Sequence, residues 1–214
     1  MNNLVVNPLK NIPDLDRKYT TPERRAKAVV VLGSASTTEP LMEYMDLCAK
    51  TTKEFVNLGY NIVTGCGTKG IMGSAYNAAK EASAVNLKGK PVQNLGIVVN
   101  PLWGDENLND CILIGKAGSE SERIVKFAKV ADNFVIFPGS VTTLQEAVTL
   151  IRMNAHSTQN ELKKIVLVGK EFFAGLKQVY ENMADMNFLK KKPENIFKIL
   201  SQKHEIINAI IKNK

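Results

Sequence analysis

Five consecutive apolar residues, Ala28-Val29-Val30-Val31-Leu32, separate a polar N-terminal segment from the turn Gly33-Ser34-Ala35-Ser36. Side chains alternate across a strand, so a run with no polar position leaves neither face for water and reads as a strand buried on both sides. Such a strand needs helices above and below it. After the turn, Pro40 suits a first helical position, Met45, Cys48, Thr52 and Phe55 recur at helical spacing, and Gly59 is a natural stop.

The same alternation continues along the chain. Asn61–Thr64 reads as a second strand, followed by a glycine-rich turn and an alanine-rich helix through about Ala84. Further strands are predicted at Leu95–Val99, Cys111–Ile114, Asn133–Phe137, Ile165–Val168 and Ile196–Ile199. Helices are predicted at Ser121–Val130, Thr142–Ala155 and Glu171–Met183, with a last one after Ser201. Strands alternating with helices imply an α/β fold: a doubly wound, mostly parallel sheet of about seven strands with helices on both faces. In such folds ligands bind beyond the carboxyl ends of the strands. Residues 1–27, with Pro8, Pro13 and Pro22, read as an N-terminal arm, and 28–214 as one domain.

Composition narrows the function classes. At 44% hydrophobic and 23% charged residues the chain is of globular type. No apolar run reaches the roughly 20 residues that cross a bilayer, and the first residues lack the basic flank of a secretory signal, so no membrane role is expected and the cytoplasm is the expected compartment. Cys48, Cys66 and Cys111 lie far apart in sequence, with no CxxC pair and no His at ligand spacing; they read as reduced thiols, with no metal site. The net charge is +7, and residues 161–214 hold 11 Lys against 6 Asp and Glu. Without interleaved aromatics that excess reads as a solvated face, not a nucleic-acid surface.

Chemistry concentrates at Phe137-Pro138-Gly139-Ser140-Val141-Thr142-Thr143-Leu144-Gln145-Glu146. A strand that ends in Pro-Gly and turns into a helix offers free N–H groups and the positive end of the helix dipole, which is an anion site. Glu146 lies about one turn inside, although an acid near a helix N-terminus is also favourable on dipole grounds alone. Gly65, Gly67 and Gly70 satisfy G-x-G-x-x-G between strand and helix, but the position where a dinucleotide fold carries a ribose-binding acid is Asn100, and Ile71 excludes a Walker A loop. What survives is a turn able to approach a phosphate, or one needed only for tight packing. Arg123 stands near a helix start, where a cation opposes the dipole. Either an anionic ligand or pairing with Glu120 or Glu122 accounts for it. His156, at a helix end, reads as a cap or packing residue, and His204 as structural.

In this order the segments resemble the Lonely Guy (LOG) family, once labelled possible lysine decarboxylases. The likeness runs from about Val29 to Met183 through Val31-Leu32-Gly33-Ser34-Ala35, Val63-Thr64-Gly65-Cys66-Gly67, Gly70-Ile71-Met72, Glu122-Arg123, Ala131 through Gly139, and Glu146. The resemblance implies a Rossmann-like homodimer that hydrolyses the N-glycosidic bond of nucleoside 5'-monophosphates to free base and ribose 5-phosphate, without pyridoxal phosphate or other cofactor. It implies Arg123 and Glu146 as the catalytic pair. Substrate binding is assigned to Gly33, Ser34, Gly65, Gly67, Gly70, Met72, Gly139, Ser140, Thr142 and Thr143.

The family motif P-G-G-x-G-T-x-x-E is altered here. Ser140 and Thr142 replace glycines, Ile124 stands where lysine normally follows the arginine, and Cys66 stands where another glycine is common. Side chains at 140 and 142 either fill the phosphate seat or add hydroxyl donors to it. The alternative reading is therefore a nucleotide- or cofactor-binding carrier of the same fold.

Overall fold

The apolar run forms strand β1 (Ala28–Leu32), and every residue in it is buried. Val29 and Val31 pack with Phe55, Ile62, Ile71, Val135 and Phe137 on one side. Val30 and Leu32 pack with Val63, Ile97, Phe127, Ile136 and Leu150 on the other. One strand thus serves two cores, which is why no polar residue interrupts it. The computed structural model describes residues 9–84, 92–102, 104 and 106–211.

Strands β2 (Asn61–Thr64), β3 (Asn94–Val99), β4 (Ile112–Ala117), β5 (Asn133–Ile136), β6 (Lys164–Val168) and β7 (Lys198–Leu200) complete a seven-stranded sheet in the order β4-β3-β2-β1-β5-β6-β7. Every neighbouring pair is parallel, so the expected doubly wound sheet is parallel throughout these strands. Beyond the short α1 (Pro22–Ala26), helices α2 (Met42–Asn57), α3 (Gly70–Ala84) and α7 (Lys203–Ile211) cover one face. Helices α4 (Glu120–Val130), α5 (Val141–His156) and α6 (Ala174–Asp185) cover the other. From the centre the chain leaves β1 toward β2 and leaves β5 toward β6. The loops after β1 and β5 therefore part in opposite directions and open a crevice at the carboxyl edge of the sheet.

Strand β4 runs three residues beyond its expected end, through Gly115 and Lys116, which periodicity alone reads as a break. The strand lies at the sheet edge, where such residues are tolerated because one side carries no ladder. Residues of the N-terminal arm cover that edge: Leu15 pairs antiparallel with Gly115, and the Asp16 amide donates to the Ile114 carbonyl at 2.7 Å. Leu9, Ile12 and Tyr19 are buried, and the buried Lys126 ammonium holds Asp14 at 2.6 Å. Residues 9–27 thus pack on the body.

Candidate active site

The loops after β1 and β5 are joined just above the sheet. The Phe137 amide donates to the Leu32 carbonyl at 2.9 Å, and the Ser34 amide donates to the Pro138 carbonyl at 3.1 Å. Gly139 sits in this seam; a Cβ there would run into the buried Thr143 side chain and stand 3.0 Å from the Ser34 nitrogen. Ser140 is the N-cap of α5 with φ −75° and ψ −174°, ordinary extended backbone. The family glycine is therefore replaced here without strain. The Ser140 hydroxyl makes no capping bond, and the first intrahelical bond runs from the Leu144 amide to the Ser140 carbonyl at 3.0 Å. The amides of residues 141–143 precede it and lack helical partners. Ser140 is exposed and Thr142 half-buried, so both hydroxyls stand at this helix mouth.

The turn after β2 behaves differently. Gly70 has φ +58°, and a Cβ there would collide with the Ser34 and Ser36 carbonyls. Only glycine fits on both counts. That closeness lets the Ser34 carbonyl accept from the amides of Ile71 at 2.8 Å and Met72 at 3.4 Å, while the Ser34 hydroxyl accepts from the Ser36 amide at 2.9 Å. The N-terminus of α3 is thereby occupied by protein. Of the two glycine-rich turns expected to hold a phosphate, the one opening α5 is the one left open. Gly33 packs on Ile71 and Phe137, and Gly67 on Met72.

Arg123 and Glu146 come together, 23 positions apart in sequence but on the facing helices α4 and α5. Ser119 caps α4 by accepting from the Glu122 amide at 3.2 Å. Arg123 then projects under Gly65, where an added Cβ would lie 2.9 Å from its Nη1. Glu122 is not its partner: Glu122 accepts from the Gly118 amide at 2.6 Å and pairs with Lys126 at 2.7 Å. The reading of a surface arginine paired with a neighbouring acid fails, because Arg123 is only 8% exposed and its ion pair is with Glu146. The Nη2 to Oε1 distance is 3.6 Å, an attraction between charges beyond hydrogen-bond range. Arg123 Nε and Glu146 Oε1 are consequently both buried and without hydrogen-bond partners among the described residues.

Burial pushes the Glu146 carboxyl up to about 7; the Arg123 charge opposes this rise and the Glu120 carboxylate adds to it. Glu120 was legible only as a possible surface partner for the arginine, yet it acts on Glu146 electrostatically, and its own Oε1 is buried without a partner among the described residues. The available signal was its i, i+3 spacing to Arg123, which places both on one helix face. A bond from Gln145 Nε2 to Ser121 Oγ at 2.9 Å ties α5 to α4 beside the pair.

The remaining candidates lie elsewhere. His156 is the last residue of α5, exposed, at the opposite end of the sheet. It lines a broad cavity of about 1270 Å³ whose Arg25 and Lys163 are both engaged with Asp132 at 3.2 Å. His204 is exposed on α7. Among the described residues no cluster of three or more His, Cys, Asp or Glu is placed to hold a metal, and no helix is long and apolar enough to cross a membrane.

The family model described as "Possible lysine decarboxylase" matches residues 71–210, a span that contains Arg123 and Glu146. The chain is 32% identical over 109 residues to a probable cytokinin riboside 5'-monophosphate phosphoribohydrolase, LOGL9, of Oryza sativa subsp. japonica. That alignment covers 50% of this chain and 44% of the rice protein, so the chain spans less than half the length of this relative. Among solved structures, the molybdenum cofactor binding protein of Rippkaea orientalis superposes with a TM-score of 0.59 at 18% identity, over 86% of this chain and 97% of the other. The molybdenum cofactor carrier protein of Chlamydomonas reinhardtii gives a TM-score of 0.59 at 18% identity, over 86% and 94%. At that identity the likeness is one of fold.

Proposed function

We propose that this chain, which belongs to the possible lysine decarboxylase (LOG) family, hydrolyses the N-glycosidic bond of a nucleoside 5'-monophosphate, AMP-like or N6-modified, to free base and ribose 5-phosphate. The observation that carries this reading is the buried Arg123–Glu146 pair, whose Nε and Oε1 have no hydrogen-bond partner among the described residues, set beside an open helix N-terminus. The 5'-phosphate sits at the mouth of α5, where the free amides and the Ser140 and Thr142 hydroxyls donate to it. As the bond from C1' to the base nitrogen breaks, positive charge builds on the ribose, and ionised Glu146 stabilises it. Water adds to C1', and its proton balances the departing base. Arg123 favours the charged form of Glu146 against its burial and orients the ribose, so that the attack is effectively intramolecular.

Incubating the protein with a panel of nucleoside 5'-monophosphates, N6-substituted ones included, is expected to release free base, and Glu146→Ala to abolish release. No base from any member of the panel overturns the proposal. The hydroxyls at the α5 mouth favour one second reading, a carrier that binds nucleotide or cofactor without turnover. Calorimetry showing tight nucleotide binding with no hydrolysis selects that reading.

The same reading includes a homodimer. Val125, Val141, Leu144 and Val148 leave apolar surface exposed on α4 and α5, with Val141 83% exposed. A second copy covers this face; Leu144→Asp is expected to yield a monomer by light scattering, and an unchanged mass would remove the assignment.

A further inference from the structure

Cys66 and Cys111, 45 positions apart, place their sulfurs 3.1 Å from each other. Three elements converge to make this possible. Cys66 stands in the glycine-rich turn with φ +63°, a conformation side chains rarely adopt. Cys111 immediately precedes β4. Between them lies Gly96 of β3, at a shift of register, where an added Cβ would run into the Cys66 sulfur and stand 3.0 Å from that of Cys111. The sheet thus leaves a slot filled by two sulfurs.

The two chain segments are fastened together independently of those sulfurs. The Asn107 amide donates to the Cys66 carbonyl at 3.0 Å, the Tyr76 hydroxyl donates to the Asn107 carbonyl at 2.8 Å, and Gly67 bridges Glu106. A bond between the sulfurs therefore requires a small side-chain movement and little backbone change. The third thiol, Cys48, is fully buried in a different cluster, with Phe55 and Ile71, while Cys66 and Cys111 pack with Tyr76 and Val98.

We propose that Cys66 and Cys111 form a site of oxidative modification, closed to a reversible disulfide by hydrogen peroxide. Cys111 is the half-buried member and meets the oxidant; the hydrogen bond from the Cys66 thiol holds its thiol below the ordinary range, while the bond to Cys111 and burial push that of Cys66 up. The Cys111 thiolate attacks the peroxide O–O bond, giving a sulfenic acid and, after protonation, water. The Cys66 thiol then attacks that sulfur, a second water leaves, and the disulfide forms: two thiols are oxidised and one peroxide is reduced. The bond lies next to Gly65, against which Arg123 is packed, so the oxidised protein has its glycine turn locked to the start of β4 beside the candidate pair.

The test treats the full chain with hydrogen peroxide, blocks remaining thiols with N-ethylmaleimide in denaturant and maps the peptides by mass spectrometry. The expected result is a mass loss of about 2 Da before blocking, a linked 66–111 peptide and one blocked thiol at Cys48, all reversed by dithiothreitol. Cys66→Ser and Cys111→Ser each abolish the linked peptide, while Cys48→Ser leaves it in place. Three free thiols after treatment, or Cys111 carried to a sulfinic acid without cross-link, overturn the proposal. Neither outcome depends on nucleotide hydrolysis.

Discussion

Replacing Glu146 by glutamine tests the electrostatics of the site without reference to turnover. An ordinary glutamate here would ionise near 4.5, whereas burial pushes Glu146 up to about 7 despite Arg123. Between those values the unfolded chain has released its proton and the folded chain still holds it. The folded state then binds more protons, so stability falls as pH rises through this window. A change from 4.5 to about 7, at roughly 1.36 kcal/mol per pH step, amounts to about 3 kcal/mol, absent well below pH 4.5 and complete above pH 7. Glutamine keeps the shape and has no proton to lose. The difference in unfolding free energy, Glu146→Gln variant minus parent, should therefore grow by about 3 kcal/mol between about pH 4 and pH 8.

Urea denaturation of both proteins at several pH values reads that difference, and groups common to both cancel. A difference that stays flat, or shrinks as pH rises, refutes the assignment of a neutral, desolvated carboxyl. The ionised form is also the one that stabilises a ribosyl cation. The proposed activity should thus show an acidic limb in kcat/KM with an apparent pKa about 7. Glu146→Gln should lower kcat about 100-fold or more while the fold persists.

Arg123→Met removes the charge that opposes the rise of Glu146, so the acidic limb should move to higher pH, read from the same rate profile. Gly70→Ala meets both a positive φ and two carbonyls, and is expected to cost about 2 kcal/mol or more in denaturant titration, whereas Ser140→Ala should cost under about 0.5 kcal/mol. Asn154, fully buried, donates to the Lys163 and Ile196 carbonyls at 2.8 Å and accepts from the Lys163 amide at 2.9 Å; Asn154→Leu should lower stability by about 3 kcal/mol in the same titration. Lys126→Met cuts the tie to Asp14, and limited proteolysis should then cleave within residues 9–27 faster than in the parent.

The architecture was readable because both-sided burial leaves a local mark: Ala28–Leu32 and Asn133–Phe137 carry it, and Gly59 and Pro40 punctuate the helix between β1 and β2. The end of β4 was not readable, since Gly115 and Lys116 look locally like a break, yet they pair with Ile97 and Val98 of β3, and Leu15, about a hundred positions earlier, covers Gly115 on the other side. At the site, Arg123 and Glu146 were nominated from their places at helix starts and from family resemblance, but their meeting belongs to the packing of α4 on α5. Glu120 looked like a salt-bridge partner because local spacing favours one, and burial overrode it. The Cys66–Cys111 contact left no trace in spacing; it depends on Gly96, a residue unremarkable until β3 is placed between the two sulfurs.

Two turns of similar composition end up with opposite tasks, and one residue decides which is which. Ser34 donates its amide to Pro138 and offers its carbonyl to Ile71 and Met72, so the loop after β1 binds the β5 side by one group and caps α3 by the other. Capping consumes the N–H groups that a glycine-rich turn would otherwise present to a phosphate. It also forces Gly70, because the capping carbonyl must come within the space of a Cβ. The α5 turn has no such capping loop above it among the described residues: its N-cap backbone is extended, and its hydroxyl is uncommitted. Glycine is therefore a packing requirement at 70 and dispensable at 140. Ser140 and Thr142, the departures within the family's P-G-G-x-G-T-x-x-E stretch, fall where the structure needs no glycine and leave hydroxyls at the mouth of α5.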